Sequence, residues 1–130
     1  VPTDRQTVNA SDAPEAVGPY VHGIKSAGLL FCSGQIPLDP ATGEIAGSTP
    51  AEQARRCLQN LEAVCTAAGT GLARAVKLTV YLTDMDAFKE VNEVYASFFE
   101  AEPPARVAVA VAALPRGAQV EIDAVVALAD

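Results

Sequence analysis

The sequence predicts an α+β fold, a mixed β-sheet of five or six strands with two helices on one face, in one domain spanning residues 1–130. Three observations lead there. Apolar residues recur at every second position in some segments and at every third or fourth in others, so strands and helices are both present. Their order along the chain is strand, hairpin, helix, strand, helix, hairpin. Two helices of this length cover about one face of such a sheet, leaving the other to water or to another subunit.

The elements follow in order. "RQTV" (5–8) is a short strand candidate, and "YVHGIKSAGLLFCSGQI" (20–36) reads as two strands turning near Ala27 and Gly28. "PLDPATGEIAG" (37–47), dense in proline, glycine and aspartate, predicts an ordered loop with one short strand around Ile45. "STPAEQARRCLQNLEAVCTAAG" (48–69) predicts a helix capped by Ser48 or Thr49, with Pro50 in its first turn and Gly69 at its end. Ala54, Cys57, Leu58, Leu61, Val64, Cys65 and Ala68 recur at three and four, giving one buried stripe.

"AVKLTVYLTD" (75–84) alternates, with Val76, Leu78, Val80 and Leu82 on one face and Lys77, Thr79, Tyr81 and Thr83 on the other. "MDAFKEVNEVYASFFE" (85–100) places Phe88, Val91, Val94, Tyr95, Phe98 and Phe99 at helical spacing, which reads as core. "ARVAVAVAAL" (105–114) and "VEIDAVVAL" (120–128), joined by "PRGAQ", are expected to form the final hairpin.

Composition narrows the function classes. Half of the residues are hydrophobic but only 5% are aromatic, so the core is built from alanine, valine and leucine. The net charge of −7 repels phosphate backbones and anionic lipid, so neither nucleic acid nor membrane is expected as a partner. Cys32, Cys57 and Cys65 are odd in number and lack CxxC spacing, which argues against a disulfide framework or a zinc cluster and suits a reducing cytoplasm. "VPTDRQTVNASDAPEA" carries charges and prolines where a signal peptide needs an apolar core, and no later run approaches membrane-spanning length. A soluble cytoplasmic protein is the expectation, and a start at Val1 leaves room for trimming.

The last two strands read as apolar on both sides. Val107, Val109 and Val111, with Val120, Ile122 and Ala124, form a set suited to the helices; Ala108, Ala110, Ala112 and Leu114, with Val125 and Ala127, form the opposite set. A second face this apolar predicts self-association. Parity puts Arg106 on the face of Ala108 and Ala110, and Glu121 and Asp123 on the corresponding face of the last strand. A guanidinium cannot shed its proton to escape burial, so it needs an anion. Glu121 or Asp123 would make a structural ion pair; a small carboxylate ligand, held by two parallel hydrogen bonds, would make a binding site. Parity leaves both open.

"PARVAVAVAALPRGAQVEI" (104–122) resembles the C-terminal signature of the RidA (YjgF) family of reactive-intermediate imine deaminases. "AVGPY" (16–20), "SGQIPLDPATGEI" (33–45) and "VNEVYASFF" (91–99) resemble that family's other blocks, in the same order. The resemblance implies a chorismate-mutase-like α+β fold and a homotrimer with clefts between subunits. It implies hydrolysis of 2-imino acids and their enamine tautomers, such as 2-aminoacrylate, to 2-keto acids and ammonia, without metal or cofactor. Carried over, Arg106 would hold the substrate carboxylate, Glu121 would position or activate water, and Tyr20 would close the cleft. Gly34 would admit backbone approach, Asn92 would order the site, and Ser33 and Ala108 would line it. An iminium carbon is already electrophilic, so orienting water and fixing the carboxylate suffice.

This chain departs from the family in two places. Many members carry cysteine where Ala108 stands, and the loop before Pro104 is short, so substrate preference and pocket size are expected to differ. Each residue also has a structural reading: Tyr20 as a strand aromatic, Gly34 as a packing glycine, Asn92 as a brace. A Ser33–His22 nucleophile pair is not supported, and "GTGLAR" (69–74) lacks the last glycine of a dinucleotide fingerprint. The alternative function is a noncatalytic trimer that binds small carboxylates or regulates a partner enzyme. The ribonuclease or translation-inhibitor role attached to some relatives fits the acidic charge poorly.

Overall fold

The computed structural model describes residues 4–129. Strands β1 (Gln6–Val8), β2 (Gly23–Ser26) and β3 (Leu29–Gln35) come first, followed by helix α1 (Pro50–Ala67) and strand β4 (Ala75–Leu82). Helix α2 (Phe88–Phe98) and strands β5 (Ala105–Ala110) and β6 (Val120–Ala127) complete the order. The β2–β3 turn falls at Ala27 and Gly28, with φ of 54° and 78°, left-handed at both positions as a tight hairpin of this twist requires.

Helix α1 begins where its sequence says it should. Thr49 accepts a hydrogen bond from the Glu52 backbone at 3.2 Å, and the Glu52 carboxylate accepts one from the Thr49 backbone at 3.3 Å, a reciprocal capping box. Gly69, at φ 83°, ends the helix in a conformation that a side chain would disfavour. Helix α2 starts from a short 3-10 turn at Met85–Ala87, where Asp84 accepts from the Asp86 backbone at 2.9 Å.

The sheet order is β1-β2-β3-β6-β4-β5, antiparallel throughout except for the parallel pair β4–β5. Both β3 and β4 run antiparallel to β6, so they run parallel to each other. The connections β3-α1-β4 and β4-α2-β5 therefore step the same way across the sheet, and the right-handed crossover rule sends both helices to the same face. The predicted single covered face follows from this chirality.

Two expectations are corrected. The last two strands form no hairpin: β6 inserts between β3 and β4, while β5 pairs with β4 as the partner of its crossover helix. Residues 111–119 wrap the end of β4, with the Val111 backbone donating to Leu82 at 2.8 Å and Thr83 donating to Gln119 at 3.1 Å. Val76, expected on the core face, is exposed because the ladder breaks register between Ala75 and Lys77.

The core lies between the α1 stripe and the sheet face carrying Leu30, Leu78, Val80, Leu82, Ile122 and Val126, all buried. Truncating one of these leucines to alanine costs about 2–5 kcal/mol, because such packing collapses only partly around a void. All three cysteines are free and buried in this core. Burial pushes the Cys57 thiol well up, and the neighbouring Cys32 thiol together with burial does the same to Cys65. These are packing residues rather than nucleophiles. No helix among the described residues is long and apolar enough to cross a membrane.

Candidate functional site

Strand β5 sets the position of Arg106. Its register pairs Arg106 with Leu78, Ala108 with Val80 and Ala110 with Leu82. Those β4 partners are buried beneath the helices, so Arg106 and Ala108 project to the helix-covered side, and Ala108 packs against the core. Arg106 itself stays exposed, at the sheet edge. Its Nη1 donates to Asn92 Oδ1 at 2.6 Å, and its guanidinium carbon lies 4.9 Å from the Tyr95 ring centre and 5.3 Å from that of Phe88. Phe88, Asn92 and Tyr95 are spaced four and three along α2, so one helical stripe supplies all three contacts.

Strand β6 sets the position of Glu121, which pairs with Tyr81 of β4; Asp123 pairs with Thr79. This is the opposite side of the sheet from Arg106. The expected parity is thus half right: Arg106 does share a side with Ala108 and Ala110, but Glu121 and Asp123 face away from it. Val107 and Val109, expected under the helices, lie on the bare side and are 42% and 37% exposed. The physical reason is that β5 is a parallel edge strand registered on β4, so its faces are fixed by Leu78 and Val80 rather than by the β6 pattern.

The bare side around Glu121 is shaped by a bulge. Cys32 pairs with Ala124 and Gln35 with Ile122, so Ser33 and Gly34 together stand opposite the single Asp123. The extra residue brings Gly34 onto Glu121: a Cβ built there would collide with Glu121 Oε2 and lie 3.1 Å from its carboxyl carbon. Glu121 is half-buried, and burial first, then the nearby Asp123 charge, raises its carboxyl above the usual value. Asp123 accepts from the Tyr81 hydroxyl at 2.9 Å, and burial together with that bond raises the Tyr81 phenol.

The other expected site residues divide. Asn92 touches Arg106, and Gly34 touches Glu121. The Ser33 hydroxyl donates to the Val21 carbonyl at 2.7 Å, which ties β3 to the segment after Tyr20. Tyr20 is 45% exposed, just after a bend at residues 17–19 and before β2, its hydroxyl accepting from the Val17 backbone at 3.3 Å. His22 is buried, with Nδ1 accepting from the Ala10 backbone at 2.9 Å and Nε2 facing the Pro14 carbonyl at 2.7 Å. Both ring nitrogens are engaged with backbone, which leaves His22 as a strut for the N-terminal segment.

Two groups therefore stand apart within one chain: Arg106 with Asn92 beneath the helices' edge, and Glu121 with Gly34 on the bare face. Arg106 and Glu121 are separated by the width of β4 and by three residues of register, roughly 10 Å in each direction. A groove of about 440 Å³ between segments 11–17 and 38–43 includes neither among its lining residues. No cluster of three or more metal-ligating side chains occurs among the described residues.

The sequence reading missed Phe88 and Tyr95 as neighbours of Arg106, placing both simply in the core stripe. The available signal was Asn92, a polar residue set between two aromatics at helical spacing on the side facing the core. Tyr81 as a partner of Asp123 carried no signal, because it depends on β6 lying beside β4.

Comparison with known proteins places the chain in a family. A family model described as "Endoribonuclease L-PSP" matches residues 10–128. The RutC family protein y4sK of Sinorhizobium fredii is 52% identical over 123 residues, covering 95% of this chain and 98% of that protein. The Mus musculus protein named 2-iminobutanoate/2-iminopropanoate deaminase is 41% identical over 121 residues, covering 93% of this chain and 90% of its own. The crystal structure of Escherichia coli TdcF with bound serine superposes with a TM-score of 0.90 at 39% identity, covering 95% of this chain and 99% of that one. Matched over nearly its whole length in sequence and backbone alike, the chain belongs to the RidA (YjgF) family.

Proposed function

We propose that this protein hydrolyses reactive 2-imino acids and their enamine tautomers to 2-keto acids and ammonia, in clefts formed between the subunits of a homotrimer. The observation that carries this reading is Arg106: a guanidinium held in place by an amide and two aromatic rings, with its N–H groups largely unspent. Among the described residues one N–H goes to Asn92, and the remaining four can grip a carboxylate by paired hydrogen bonds. A relative named as a deaminase of 2-imino acids and a relative crystallised with serine, itself an α-carboxylate, support the assignment.

The separation of Arg106 from Glu121 supports the oligomer. A site using both needs a second copy to bring its Glu121 face against the edge of β5. Phe31, Val107 and Val109 are large apolar side chains exposed on the bare side of the sheet, which suits it for burial against such copies.

Each chemical step then has a residue. Arg106 fixes the carboxylate, which places the C=N carbon against the face where water arrives. Glu121, its proton affinity raised by burial, takes a proton from the attacking water as oxygen bonds to that carbon. Glu121 returns that proton to the nitrogen of the resulting carbinolamine, then takes the hydroxyl proton as the C=O bond forms, the C–N bond breaks and ammonia leaves. Water supplies the oxygen of the keto acid. Gly34 leaves room for the carboxylate of Glu121, and the exposed Tyr20 borders the cleft.

The test adds the protein to an amino acid oxidase or dehydratase that releases imines and follows keto-acid formation. Wild type accelerates it, and Arg106→Ala abolishes the gain while the assembly stays folded. An unchanged rate in that variant removes Arg106 from the mechanism. The same Arg106 geometry would serve a noncatalytic carboxylate binder. Glu121→Gln that binds keto acid but no longer turns over supports the enzyme, whereas a wild type inactive on every imine supports the binder.

A further inference from the structure

We infer that Phe88 and Tyr95 are positioning residues that seat Arg106, their ring faces fixing the plane of the guanidinium so that its free edge meets the ligand carboxylate. Their role presupposes Arg106 as the carboxylate clamp proposed above. An exposed arginine ordinarily samples many rotamers, and ordering it at each binding event weakens affinity. Here three residues of one α2 stripe hold it beforehand, at 2.6 Å from Asn92 and at 4.9 and 5.3 Å from the two ring centres.

The chemistry of the holders matters. A carboxylate partner would neutralise the cation and consume the paired N–H groups that a ligand needs. Aromatic faces attract the cation through their quadrupole and consume none. Tyr95 is itself held against Phe99, with ring centres 4.8 Å apart. Its hydroxyl is buried without a hydrogen-bond partner among the described residues, so the ring is what Tyr95 offers to its surroundings. Phe88 is only half-buried, which places its contact with Arg106 at the mouth of the site rather than in the core.

The experiment measures binding of 2-oxobutanoate by NMR titration, with the thermal midpoint of each variant as the check on folding. Phe88→Leu and Tyr95→Leu each weaken Kd by about tenfold. Tyr95→Phe, which keeps the ring, recovers most of the loss seen in Tyr95→Leu. In the Arg106→Ala background, Phe88→Leu changes the residual affinity by less than about twofold, since the residue it positions is gone. Wild-type affinity in folded Phe88→Leu overturns the seat and leaves Arg106 as the clamp. An equal loss with and without Arg106 also overturns it, because the ring would then act by packing alone. Should Tyr95→Leu fail to fold, Phe88→Leu alone decides. If Arg106→Ala binds as wild type does, the clamp itself is refuted, a result separate from either of these.

Discussion

Gly34→Ala isolates one contact of the proposed site. Gly34 stands on the β3 bulge, and the added methyl would strike Glu121 Oε2 while lying 3.1 Å from Cδ and 3.4 Å from Cγ of that side chain. The obstructing atoms are the far end of a flexible carboxylate, so Glu121 swings aside and the backbone holds. Gly34 is not in the left-handed region, so alanine meets no strain there, and stability changes by less than about 1 kcal/mol. The displaced carboxylate has to move by about 1 Å, and a misplacement of that size in a water-activating group lowers the rate by about a hundredfold. Arg106 is untouched, so KM for the imine stays near its wild-type value while kcat falls. Steady-state keto-acid formation gives both constants, and a urea melt gives the stability. A kcat within about threefold of wild type in folded Gly34→Ala would refute the placement of Glu121 against the reacting water.

Other predictions test other parts. Phe31→Glu combined with Val107→Glu puts charges on the exposed apolar side of the sheet, and sedimentation is expected to show monomers, with turnover lost; a variant still assembled at micromolar concentration would show that this face is not the interface. As the proposed base, Glu121 works only when ionised, and its carboxyl is raised above its usual value, so kcat is expected to fall as pH drops through that raised value. Asp123→Asn removes the second cause of the shift and moves this acid limb to lower pH, whereas an unmoved limb would assign it to another group. The same raised affinity means that the native state holds the Glu121 proton more tightly than the unfolded chain. The stability this contributes is present at low pH and is lost as pH rises through the native value. Thr49→Ala breaks the capping box of α1 and costs about 1 kcal/mol in urea unfolding, with imine turnover retained at temperatures well below the melt.

Local periodicity made both helices legible in the sequence. The α1 stripe of Ala54, Cys57, Leu58, Leu61, Val64 and Cys65 is buried as its spacing requires, and Thr49, Pro50 and Gly69 mark its ends by cap chemistry alone. The Ala27–Gly28 hairpin was legible for the same reason, because a tight turn depends on the residues within it. Arg106 stood out as the only charge on an apolar strand, and the motif around it pointed to the family.

What lay beyond reach was long-range. Alternation says which residues of a strand share a face, but not which of its two faces meets the helices, since that depends on the neighbouring strand. The sequence neighbours β5 and β6 suggested a hairpin, yet β4 stands between them, and Arg106 and Glu121 consequently point to opposite sides.

By itself the sequence determined the elements, their turns and caps, the family, and the residues able to carry chemistry, because each of these is written in contacts a few positions apart. Only the tertiary structure decided that β6 enters between β3 and β4, that both crossovers place their helices on one face, and that Phe88, Asn92 and Tyr95 converge on Arg106. Those outcomes depend on strand order and register, and a one-residue change in register sends a side chain to the other face of the sheet.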